Sequence, residues 1–64
     1  MTTKRSIKEK LLEAAAILFY NQGITATGIQ AITERAGVAK MSLYNNFESK
    51  SALVAAYLEA RHNE

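Results

Sequence analysis

Cysteine and proline are both missing from this chain, and histidine occurs once. Without cysteine there is no disulfide, no thiolate nucleophile and no cysteine-based zinc site to staple a small fold. One histidine does not assemble a metal centre, so neither a metal nor any other cofactor is expected. A cysteine-free chain is compatible with a reducing cytoplasm, the expected location. Length is short as well: 64 residues leave room for one domain and none for a ligand cavity beside a core. A long hydrophobic run is also lacking. The stretch "LLEAAAILFY" is interrupted by Glu13 and is too short to span a bilayer. Lys4, Arg5, Lys8 and Lys10 precede it as basic residues do in an export signal, but no turn-and-cleavage pattern follows. Export and membrane insertion are therefore not expected.

Catalytic groupings are sparse. Glu9, Glu13, Glu34, Glu48 and Glu59 are scattered along the chain in no catalytic grouping, which reads as solvated surface and not as an enzyme. His62 lies near the terminus and reads as a passive surface residue. Tyr20 and Tyr57 read as amphipathic residues at the edge of a core. Arg35 and Arg61 lack motif support and stay outside the expected site. The formal charge of +2 and pI of about 9.2 lean mildly toward an anionic partner, far short of a polybasic tail.

What is present is helical periodicity. Ser6-Ile7-Lys8-Glu9 fits a capping box, in which the serine oxygen takes an amide and the glutamate reaches back. Ile7, Leu11, Ala14 and Leu18 then recur on one face, widened by Leu12, Ala15 and Phe19, and Gly23 supplies a left-handed stop. A first helix over 7–22 follows. Thr27-Gly28-Ile29-Gln30 repeats the box, opening a short second helix that carries Ile29, Ile32 and Ala36 and stops at Gly37. A third helix is expected over 40–47. Ser49 then caps a fourth, with Leu53, Val54, Tyr57 and Leu58 on its apolar side before the charged end "EARHNE". No segment alternates for long enough to make a strand. The expected fold is all-α: a small helical bundle with a helix-turn-helix, a homeodomain-like three-helix core plus the start of a fourth helix, as one domain over 1–64.

The connection around Gly37 is tight enough to make the second and third helices cross steeply, with Ile32, Ala36, Val38 and Leu43 closing the corner. That spacing is a helix-turn-helix over about 28–47, although short corners also occur in plain bundles. The third helix separates the two readings. Leu43 and Phe47 fall on one side of it, and Asn45 lies almost opposite. Met41 and Ser42 flank Asn45, with Tyr44 and Asn46 on the shoulders, so the outward face is neutral, hydrogen-bonding and free of acid. Asparagine can bond adenine through two atoms, serine can bond several base edges, and a methionine can meet a thymine methyl. Lys40 and Lys50 stand at helix starts, where a cation opposes the dipole unless a phosphate is near; a single lysine is more commonly just solvated, but two beside a polar helix favour phosphate contact.

On these residues the chain resembles the DNA-binding domain of TetR/AcrR-type bacterial transcriptional regulators. The likeness runs from "AAAILFYNQG" through "TGIQAITERAGVAKMSLYNNFESKSAL" and rests on Gly23, Thr27, Ile29, Ile32, Ala36-Gly37-Val38, Leu43-Tyr44, Phe47, Lys50 and Leu53. The resemblance implies a homodimeric regulator, usually a repressor, whose two domains enter successive major grooves of a palindromic operator in double-stranded DNA. It also implies a C-terminal domain, absent from this sequence, that dimerises and binds a small-molecule inducer. By position it implies Thr27 and Gly28 near phosphates, Lys40, Met41, Ser42, Tyr44, Asn45 and Asn46 on the reading helix, and Lys50 on phosphate. Several residues depart from the family pattern. Gly28 stands for a frequent threonine, Thr33 for alanine, Ala39 for a serine or threonine cap, and Met41 for a small residue. Asn45 and Asn46 replace an aromatic residue or histidine, which alters the base preference to be expected. The module of a larger DNA enzyme such as a recombinase, or a helical protein-interaction module, are the alternatives at this stage.

Overall fold

A computed structural model of the chain describes residues 6–62, except for the side chain of His62. Lys4, Arg5 and the end of "EARHNE" lie outside the described residues. The order is α1 (Ile7–Gln22), α2 (Ile29–Ala36), α3 (Lys40–Asn46) and α4 (Lys50–His62), with no strand among the described residues.

α1 begins and ends where local chemistry dictates. The Glu9 amide donates to Ser6 Oγ and the Ser6 amide to Glu9 Oε1, each at 3.1 Å, which completes the capping box. At the other end the Gly23 amide donates to Phe19 at 2.8 Å. Gly23 has φ +91° and ψ 153°, a region that glycine alone occupies readily, and the chain leaves the helix extended instead of curling back.

α2 opens differently from expectation. Its cap is Gly28, which offers no side chain, because the helix starts at Ile29 and places Gln30 one residue too early to close a box. Gln30 instead donates to Glu34 at 3.1 Å along the helix. The far end is a Schellman turn: the Val38 amide donates to Thr33 at 3.1 Å and the Gly37 amide to Glu34 at 3.2 Å. Gly37 sits in the left-handed region at φ +73°, ψ 32°, and turns the chain into α3 across residues 37–39. Thr33, buried at the crossing, donates its hydroxyl to Gln30 at 3.0 Å, so the alanine-to-threonine departure leaves no orphaned group there.

α3 closes one residue earlier than expected. Phe47 is already extended at φ −137°, ψ 126°, and donates its amide to Leu43 at 2.8 Å. Ala39 gives α3 no side-chain cap, whereas Ser49 does cap α4, its hydroxyl accepting the Ala52 amide at 3.3 Å.

α1 is the hub, touching α2, α3 and α4, while α2 and α3 also touch each other. Every helix contributes a large side chain with no exposure at all, Leu11, Ile32, Leu43 and Leu53, and α1 adds Ala15. Ala14, Ala15, Phe19 and Phe47 complete the core, with Ile29, Ala36 and Val38 packed against it. Tyr57 of α4 meets Phe19 edge to face, centroids 5.1 Å apart and planes at 74°. Three apolar expectations fail. Tyr20 is 86% exposed, Ile7 is exposed at the first turn of α1, and Leu58 is exposed beyond the reach of the core.

Leu43→Ala is expected to cost about 2–5 kcal/mol, because the removed side chain leaves a cavity at the point where α3 meets the core. A thermal melt followed by circular dichroism should show a large fall in midpoint. Met41→Ala, on the exposed side of the same helix, should stay within about 0.5 kcal/mol of the parent.

Candidate nucleic-acid interface

The rotation of α3 sorts its residues by burial. Leu43 is wholly buried and Phe47, just past the helix, is 5% exposed, so this edge is sealed into the core. The opposite side is open. Met41 is 69% exposed and Tyr44 42%, and Lys40, Asn45 and Asn46 are exposed with them. Ser42 is half-buried, partly in the shoulder of the helix. A solvated helix face would ordinarily carry glutamate–lysine pairs a turn apart; α3 carries no acid, and its one cation is Lys40.

The two asparagines differ. Asn46 Nδ2 donates to the Ser42 carbonyl at 2.8 Å, laying the amide back along the helix. The side chain of Asn45 has no hydrogen bond within the described residues. Lys50 is half-buried at the first residue of α4 and lines a hollow with Ile24, Thr25 and Val54, which places its stem beside the α1–α2 loop. Gly28 is exposed at the start of α2, and a Cβ there would meet nothing.

Thr27 corrects the expectation placed on it. It is 1% exposed, and its hydroxyl donates to the Gly23 carbonyl at 2.8 Å with the Leu18 carbonyl at 3.3 Å. The side chain ties the α1–α2 loop to the end of α1 and offers nothing to a phosphate. The threonine read as a cap is a buried tie because α2 begins one residue later than the box requires.

One cation beside α3 escaped the reading of the sequence. Lys8 Nζ lies 5.9 Å from the centroid of the Phe47 ring, at the C-terminal end of α3. The signal was available: Lys8 precedes Leu11 by three residues and Ala15 by seven, so its stem runs along the core face of α1. Arg61 makes a similar contact over Tyr57 at 5.8 Å, away from α3. Among the described residues no group of three or more histidines, cysteines or acids is placed to hold a metal, and no helix is long and apolar enough to cross a membrane.

A short helix pinned on one side, bare and acid-free on the other, and entered through a glycine corner defines a helix-turn-helix DNA-binding domain. The family described as "Bacterial regulatory proteins, tetR family" matches residues 11–57, and the chain belongs to that family. It is 36% identical over 63 residues to the HTH-type transcriptional regulator TtgR of Pseudomonas putida, covering 94% of this chain and 30% of that protein. It is 39% identical over 51 residues to the HTH-type transcriptional repressor KstR2 of Rhodococcus jostii, covering 80% of this chain and 25% of the relative. The HTH-type transcriptional activator FasR of Mycolicibacterium smegmatis is 45% identical over 53 residues, with 83% and 24% covered. The chain thus spans about a quarter to a third of the length of these relatives. No solved structure matches it.

Thr27→Val is expected to destabilise the fold by about 1–3 kcal/mol, because it strands carbonyls that the hydroxyl now serves. Thr27→Ser, which keeps the donor, should lose less. Urea titrations rank the two. DNA affinity measured well below the melting temperature should be unchanged in both, and a selective loss of affinity in Thr27→Val would place the hydroxyl at the DNA instead.

Proposed function

We propose that the domain binds double-stranded DNA in a sequence-specific manner to control transcription, with α3 laid in the major groove. The observation that carries this reading is the division of α3: Leu43 and Phe47 are sealed in the core while Met41, Tyr44, Asn45 and Asn46 stand in solvent. With Ser42 on their flank, these side chains meet base edges or the adjoining backbone. Lys40 and Lys50 neutralise phosphates on either side, and the exposed backbone at Gly28 lets a strand approach the start of α2. Thr27 acts behind this surface, holding the loop.

Family membership and the greater length of the relatives support a regulator that acts as a homodimer on a palindromic operator in the cytoplasm. Dimerisation and the response to a small-molecule inducer then belong to a C-terminal part outside this sequence. KstR2 is named a repressor and FasR an activator. A helix that reads DNA decides where a regulator sits, and the position of the operator decides the sign. Repression, by blocking a promoter, is the role proposed for this chain. The domain itself carries out no catalysis.

Salt dependence tests the phosphate contacts. If about four to six phosphates are neutralised per domain, log K should fall with log salt at a slope of roughly −4 to −5. Lys50→Ala should weaken binding to all sequences alike and make the slope shallower by about 1. A slope near zero in the parent chain would contradict the proposed docking.

A further inference from the structure

We propose that Asn45 and Met41 are the specificity-determining pair of α3, with Asn45 reading adenine through both its amide atoms and Met41 packing on a thymine methyl nearby. This rests on the DNA-reading role proposed above and assigns the bases within it.

The two asparagines are the only α3 side chains carrying both an amide donor and a carbonyl acceptor, the pair that adenine's N7 and N6 amino group require. They are not equivalent. At about 100° per residue, Asn45 points roughly 160° from Leu43, whereas Asn46 points only about 60° from it. Asn45 is therefore at the crest of the exposed face and Asn46 on its flank. Bonding separates them further. The Ser42 carbonyl can only accept, so the Asn46 atom 2.8 Å from it is the amide nitrogen. Asn46 cannot turn freely toward a base without giving up that bond. Asn45 is exposed and its side chain makes no hydrogen bond within the described residues, so it meets a base at no such cost.

Met41 precedes Asn45 by one helical turn and is the most exposed apolar side chain of α3 at 69%. Residues four apart in a helix are separated by about 6 Å along the axis. Successive bases on a strand are about 3.4 Å apart. The adenine and the thymine are thus expected within about two base steps of each other. Tyr44, 42% exposed on the other shoulder, has a hydroxyl suited to phosphate or to several base edges and does not discriminate adenine in the same way.

The test uses the full 64-residue chain and duplexes enriched from random DNA. In the preferred duplex each adenine is replaced in turn by 7-deazaadenine, which lacks the N7 acceptor, and each thymine by uracil, which lacks the methyl. One adenine per half-site should be sensitive, the parent chain losing at least about fivefold in affinity. Asn45→Ala should abolish that sensitivity and Asn46→Ala should retain it. A thymine within two steps should cost the parent about fourfold on conversion to uracil, an effect that Met41→Ala removes. Both side chains are exposed, and matching helical melts for the variants exclude a folding defect. Sensitivity that persists in Asn45→Ala, or that vanishes in Asn46→Ala, overturns the assignment. So does an enriched duplex in which no adenine is sensitive. Failure to enrich any duplex refutes the DNA-reading role itself, a different outcome from either of these.

Discussion

The burial of Leu43 against α1 is the contact on which the rest of this molecule depends. α3 has seven residues, too few to be a stable helix in isolation. It lacks a side-chain cap at Ala39, and nothing in its first turn complements its dipole. Its helical form therefore comes from tertiary packing. Leu43 holds its middle and Phe47 its end, and the Schellman turn at Gly37 delivers its beginning at a set position. Because all three constraints act on one side, the other side is free to vary without cost to the fold. Such a division suits a part that must be rigid in backbone and selectable in side chain.

Small size makes these attachments matter. With no cysteine to form a disulfide, stability has to come from a core of a few side chains, and Leu11, Ile32, Leu43 and Leu53, one from each helix, lie at its centre. Polar residues near the core work as ties. Thr27 fastens the α1–α2 loop to the end of α1, and Thr33 returns its hydroxyl to its own helix. Among the described residues no buried side-chain nitrogen or oxygen lacks a partner. The loop that carries Gly28 and the corner that carries Lys40 are thereby held to the same frame as α3.

Much of this was legible in the amino-acid pattern where the signal is local. The bounds of α1 follow from the Ser6–Glu9 box and from Gly23, and the end of α2 from Gly37, because capping depends on residues within a turn of each other. The two faces of α3 follow from periodicity. Where the reading missed, the deciding contact was long-range or a register of one residue. Thr27 resembles a cap locally, but its hydroxyl bonds Leu18, nine residues away, once the helix begins at Ile29. Tyr20 was read as an amphipathic residue at the core edge but is 86% exposed, on a side of α1 that none of the described helices covers. Lys8 shows the converse, a charged residue whose stem follows the core face to reach Phe47. The exposed, acid-free outer face of α3 was legible in periodicity and composition, and the family resemblance pointed to the same helix as the candidate site.

The proposed docking puts DNA on the outer side of α3 while the inner side stays locked in the core. Amide and methyl chemical shifts recorded by nuclear magnetic resonance during titration with an enriched duplex test this most directly. The largest amide changes should fall between Lys40 and Asn46 and at Lys50, with the methyl groups of Leu11, Ile32, Leu43 and Leu53 nearly unmoved. Changes centred on Tyr20 and Leu58 with α3 silent, or loss of the core methyl pattern on binding, would contradict it.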